Sequence, residues 1–169
     1  VSCHVFVRLS GMAVQLPESP LPSPSAASVV CKRQVEWRSV NAGQPAEELI
    51  GRLTGVDGTP LNSEEIDVAF RLRDPFEDNK ETTGVVGVTN RLTGEFIFET
   101  NEDAEDVFAF INAAREYGQS TEATDDRYRI RLSLANGKTM TYDKGTFLVY
   151  DDEGDLLRSQ SLIPSGVEL

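Results

Sequence analysis

The sequence predicts an α+β fold: a mostly antiparallel β-sheet with one main amphipathic helix packed on one face and a short helix nearer the N-terminus. Three observations carry this. Apolar side chains fall at every second position through Ile66–Leu72 and Tyr128–Leu134, the pattern of half-buried strands. They fall at helical spacing through Glu102–Tyr117. Glycine-bearing turn signals, Asn136-Gly137 foremost, separate the runs. At 169 residues, 39% hydrophobic and 26% charged, the chain is long enough to bury one core without a disulfide or metal staple. No apolar run approaches the roughly 18 residues of a membrane span, so no membrane partner is expected.

Taken in order, Val35–Ser39 alternates and predicts a first strand. Pro45 to Leu53 predicts a short helix, with Pro suited to the first turn, Glu47 and Glu48 at its positive end and Gly55 as a stop. A loop over Thr54–Pro60 leads into the strand Ile66–Leu72, whose Ile66, Val68, Phe70 and Leu72 share one face while Asp67 and Arg71 share the other. Val85–Thr89 and Glu95–Glu99 are two further strands joined by the turn Asn90–Gly94. The main helix is placed at Glu102–Tyr117: Thr100 or Asn101 caps it, acids fill its first turns, Arg115 lies in its last turn and Gly118 stops it. Ala104, Val107, Phe108, Ile111 and Ala114 make its apolar stripe, widened by Phe110 and Tyr117.

A polar loop at Gln119–Asp126 precedes the strand that begins at Tyr128. A two-residue Asn136-Gly137 turn would set Leu132 opposite Thr141, an apolar side chain against a polar one. A three-residue loop, with Gly137 left-handed in a bulge, sets Leu132 opposite Met140, Ile130 opposite Tyr142 and Arg129 opposite Asp143, and this register is the one predicted. Thr146–Tyr150 and Asp155–Leu162, around Asp151–Gly154, are read as a final hairpin.

The formal net charge of −12 is unevenly spread: residues 1–40 sum to +2 and the remainder to −14. The first segment also holds both cysteines, the only histidine and the proline-rich run Leu16–Ser25, expected to be extended. Residues 1–34 are therefore read as a disordered extension or a translation artefact, and residues 35–169 as a single acidic α+β domain. With no secretory signal, the chain is assigned to the cytoplasm. Among 16 bases, 12 are Arg and 4 are Lys. An acid-rich, lysine-poor surface suits a salty cytoplasm, because at about 1 M salt the screening length is only ~3 Å and carboxylate repulsion fades. The same acidity argues against a nucleic-acid partner.

Three features are candidates for function. Arg127, Arg129 and Arg131 at period two form a positive stripe that could contact an anion or a partner, or be a solvated face balanced by acids such as Asp143. The clusters Asp74–Glu81 and Asp151–Asp155 lack the spacing of a calcium loop and read as solvated turns. Carboxylates abound, but no two are marked as an acid–base pair. Past residue 46 there is no Cys or His, which removes Ser-His-Asp and Cys-His centres and His-ligated metals. No catalytic, cofactor-binding or metal-ligating residue is assigned, and no cofactor is expected.

Val88–Phe96, Ala113–Gly118, and Thr146–Asp152 through Ser161–Val167 resemble an uncharacterised family of small acidic haloarchaeal proteins, a domain of unknown function, over roughly residues 46–169. That resemblance implies a salt-adapted cytoplasm and no stated activity. The expectation is a non-enzymatic binding or protein-interaction module that uses the uncovered sheet face or an edge strand. The alternative is a carboxylate-dependent hydrolase or small-ligand-binding domain, which calls for a pocket with converging acids.

Overall fold

A computed structural model describes residues 5–9, 12–16, 35–40, 45–77, 81–120, 126–134 and 136–164. Its elements in chain order are β1 (Val5–Leu9), β2 (Met12–Leu16), β3 (Val35–Val40), α1 (Ala46–Arg52), β4 (Ile66–Leu72), β5 (Thr83–Asn90), β6 (Phe96–Asp103), α2 (Ala104–Ser120), β7 (Tyr128–Ser133), β8 (Thr139–Lys144) and β9 (Leu148–Tyr150). The class is α+β with mostly antiparallel sheets and two helices. The strands divide between two sheets where one was expected: a five-stranded sheet ordered β1-β2-β3-β7-β8 and a four-stranded sheet ordered β6-β5-β4-β9. Among the described residues only β3 with β7 and β4 with β9 pair in parallel. The proline-rich run beyond Leu16, Cys3, His4 and Cys31 lie outside the described residues.

Where local pattern was strong, structure follows it. β4 buries Ile66, Val68, Phe70 and Leu72 and exposes Asp67 and Arg71. β7 pairs with β8 in the bulged register, Leu132 opposite Met140, Ile130 opposite Tyr142 and Arg129 opposite Asp143. Gly137 makes that register reachable with φ of 83°, a left-handed backbone that costs glycine little. Asn90 and Gly94 close the β5–β6 hairpin, the Gly94 amide donating to the Asn90 carbonyl at 2.7 Å.

Three predicted elements differ. First, α2 begins at Ala104, because Thr100–Asp103 continue the ladder with β5. Even the Ala104 amide donates to the Thr82 carbonyl at 2.8 Å, so neither Thr100 nor Asn101 caps a helix. Second, α2 runs through Gly118 to Ser120. Gly118 does not stop the helix; the Arg127 side chain lies so close over it that a methyl group there would collide. Third, Asp155–Leu162 is no strand. It makes single bridges, Leu156 to Tyr150 and Leu162 to Phe147, separated by a turn whose Ser161 hydroxyl accepts the Val149 amide at 2.9 Å.

One apolar cluster joins both sheets. Phe108 of α2 meets Phe70 of β4 edge-on at 6.3 Å, while Phe110, two residues on and so turned to the other side of the helix, meets Tyr128 of β7 at 5.4 Å. Phe147 completes that group, 5.7 Å from Tyr128. Each such ring pair contributes ~0.5–1.5 kcal/mol beyond the burial itself. A polar clamp closes the same seam: Lys144 at the end of β8 donates from Nζ to the carbonyls of Ser63 and Ile66, both at 2.6 Å. Ser63 sits in a 3-10 turn over Ser63–Glu65 held by an Asn62–Glu65 capping box, a signal present in the sequence but not used in its reading.

Candidate functional site

The three arginines singled out from sequence do come together on one side of β7, each half-buried. β7 is an interior strand, flanked by β3 and β8. Arg129 is engaged there by Asp143 in a two-pronged pair, Nε to Oδ1 at 2.7 Å and Nη2 to Oδ2 at 3.0 Å. Arg127 is laid along α2 over Gly118. Arg131 has Thr141 opposite on one side and Arg38 on the other.

A different place offers concavity. On the face of the four-stranded sheet turned away from the core, a groove of about 550 Å³ has Ala69 and Gly87 as its floor. Those two residues are direct cross-strand neighbours. Arg71 and Val85 form one wall, Phe96 and Glu99 the other. The β5–β6 register shifts between Val88 and Thr89. That bulge lets Ile97 and Phe98 both face inward and turns Phe96 out, its ring 57% exposed. The ring leans over Gly87, where an added methyl would stand 3.2 Å from Phe96 Cε1.

Arg71 and Arg73, two apart, edge this groove. Arg71 donates from Nη2 to the Asp152 carbonyl at 3.0 Å, which fixes it over the turn after β9. Arg73 donates to the amide oxygen of Asn101. Both acceptors are uncharged, and among the described residues neither guanidinium forms an ion pair. In sequence Arg71 stands only as the polar side of the strand Ile66–Leu72, and Arg73 lies past its end. The available signal was the Arg-x-Arg spacing beside Ala69, with Gly87 free of a side chain.

Among the described residues, the carboxyl held furthest from its ordinary state lies elsewhere. Glu102 is 3% exposed, and its Oε2 has no hydrogen-bond partner. Burial pushes it up to about 7, against the lowering effect of the Thr100 hydroxyl at 2.8 Å and with help from Asp103 and Asp106. Glu102 faces inward from β6 while Glu99 faces the groove. The shifted acid and the concavity are thus on opposite sides of one sheet. Among the described residues no three His, Cys, Asp or Glu side chains gather as a metal would require. The Asp151–Asp155 cluster is a hydrogen-bonded turn, with Asp151 Oδ1 accepting the Asp155 amide at 2.7 Å. No helix among them is long and apolar enough to cross a membrane.

Residues 35–169 match a family of unknown function, DUF5793. The chain belongs to DUF5793. The family's span starts at β3, ahead of the resemblance first seen from Ala46, and takes in both the groove and the β7 arginines. No curated protein and no solved structure matches the chain. DUF5793 carries no activity to transfer, so the site has to be read from its chemistry.

Proposed function

We propose that this DUF5793 protein is a non-enzymatic binding module of a salt-adapted cytoplasm, taking a protein partner on the outer face of its four-stranded sheet. The observation that carries the reading is the groove over Ala69 and Gly87 with Phe96 held out beside it. An exposed aromatic beside a small-residue floor is costly to leave in water and useful to a partner. The other face is occupied by α2, whose Phe108 and Phe110 fill the core. A hydrolase needs acids that converge on a cavity, and here the buried acid faces away from it. The acid excess fits the salty solvent better than a nucleic-acid partner.

Affinity capture at high salt with the natural chain and with Phe96→Asp tests this. A partner held by the first and lost by the second is expected; recovery of the natural chain alone, as a monomer, would refute it. Unfolding on dialysis into low salt, followed by circular dichroism, is the expected sign of salt adaptation, and a fold that persists there removes that part. We also assign the functional unit to residues 35–169 and treat residues 1–34 as an extension to it; the intact mass of the native protein decides whether that extension is present.

A further inference from the structure

Building on the proposed binding face, we infer that the groove's partner presents a short acidic segment carrying an aromatic or large aliphatic side chain. The apolar side chain would rest on Ala69 and Gly87 against Phe96, and its carboxylates would meet Arg71 and Arg73.

The inference stands on charge as well as shape. In a chain of net charge −12, cations are expected to be drawn to the surrounding carboxylates. Arg129 is, in its two-pronged bond to Asp143. Arg71 and Arg73 instead donate to a backbone carbonyl and an amide oxygen, so each keeps its charge and further N–H donors for an incoming anion. Their cross-strand surroundings explain why. Arg71 lies opposite Val85 on one side and Tyr150 on the other, neither of them acidic. The Arg73 amide continues the ladder to the Thr83 carbonyl. Arg73 follows directly on the end of β4 and lines the same groove as Arg71, so the two can engage carboxylates two apart on an extended segment. The Asp152 carbonyl holds Arg71 in place beforehand, which reduces what binding has to order. Glu99 on the opposite wall would repel a carboxylate there and so fixes which way round the segment lies.

The experiment is calorimetric titration of the full chain at about 1 M KCl, where the general repulsion between two acidic molecules is screened to within ~3 Å. The probes are the acetylated peptide Glu-Phe-Glu-Phe-Glu, its neutral counterpart Gln-Phe-Gln-Phe-Gln, and free 3-phenylpropionate. The acidic peptide should bind about tenfold or more tightly than the neutral one, and the double variant Arg71→Gln, Arg73→Gln should erase that difference. Phe96→Ser should weaken both peptides, with circular dichroism confirming the fold of each variant. Equal binding of the two peptides, both weakened by Phe96→Ser, overturns the acidic partner and leaves the binding face standing. Absence of binding by both peptides, or no effect of Phe96→Ser, overturns the binding face itself. Phenylpropionate binding as tightly as the acidic peptide replaces the protein segment with a small organic anion and overturns the partner inferred.

Discussion

Replacing Glu102 by Gln should make the protein's stability less dependent on pH, the comparison moving in favour of Gln as pH rises through neutrality. The carboxyl is 3% exposed, with one oxygen accepting from the Thr100 hydroxyl and the other without a partner. Its proton affinity rises from an ordinary 4.5 in water to about 7 in the folded chain. Because the folded state holds this proton more tightly than the unfolded chain, the group's contribution is whole below pH 4.5. It is lost progressively as pH climbs through about 7. A change of that size corresponds to at most about 3 kcal/mol, at ~1.4 kcal/mol per pH unit. Gln has the same shape and keeps an oxygen for Thr100, but no charge to desolvate at any pH. Its amide nitrogen inherits the unpartnered position, which costs ~1–3 kcal/mol and is already present at low pH. The quantity to read is therefore the difference between variant and natural protein as a function of pH, from urea unfolding at constant salt. That difference should shift in favour of Gln by about 2–3 kcal/mol between pH 5 and pH 9. A difference that stays constant across the range would refute the assignment of a buried, reluctantly ionised carboxyl.

Gly84→Ala should cost ~3 kcal/mol by overpacking, since its methyl meets the Phe70 ring and the immovable Arg71 carbonyl, whereas Gly87→Ala need only nudge the exposed Phe96 ring. Parallel thermal melts compare the two, and similar losses would contradict the geometry. Lys144→Met keeps the apolar stem but strands the Ser63 and Ile66 carbonyls, so a loss of ~2–4 kcal/mol in chemical denaturation is expected; under ~1 kcal/mol would show that the clamp does not hold the seam. Asp143→Asn breaks a pair whose side chains are 39% and 33% exposed, and should cost under ~1 kcal/mol, less still in salt. A larger, salt-independent loss in the same assay would make the β7 arginines more than a solvated face.

Much of the fold is legible because local chemistry and tertiary outcome agree. β4 alternates in sequence and in burial, and the β7–β8 register follows from requiring Leu132 and Ile130 to find apolar partners across Gly137. What fails to be legible fails where a distant strand competes with a local signal. Thr100 and Asn101 have the chemistry of a helix cap, yet β5 offers them a ladder, and the ladder holds as far as the Ala104 amide. Gly118 has the chemistry of a helix stop, yet a side chain from beyond the next loop uses its missing methyl. Asp155–Leu162 has the look of a return strand, yet Ser161 takes the Val149 amide that such a strand would have used, while β9 pairs in parallel with β4. Each case turns on a partner nine or more residues away, beyond the local turn that sets propensity.

The site follows the same rule. Arg127, Arg129 and Arg131 stand out in sequence because three like charges at period two are conspicuous, but whether a cation is available depends on what lies across from it. Like β4, β7 has neighbours on both sides, but the residue opposite Arg129 is the acid Asp143. Arg71 has the less noticeable sequence setting and the more permissive structural one, with Val85 and Tyr150 opposite. The strand register that decides between them could be derived for β7 and β8, because one short turn joins them. For β4 it could not, since β9 reaches it only after the chain has passed through five intervening elements. A charge stripe becomes a site when its cross-strand neighbours are neutral, and in this chain that condition is met on β4 at Arg71.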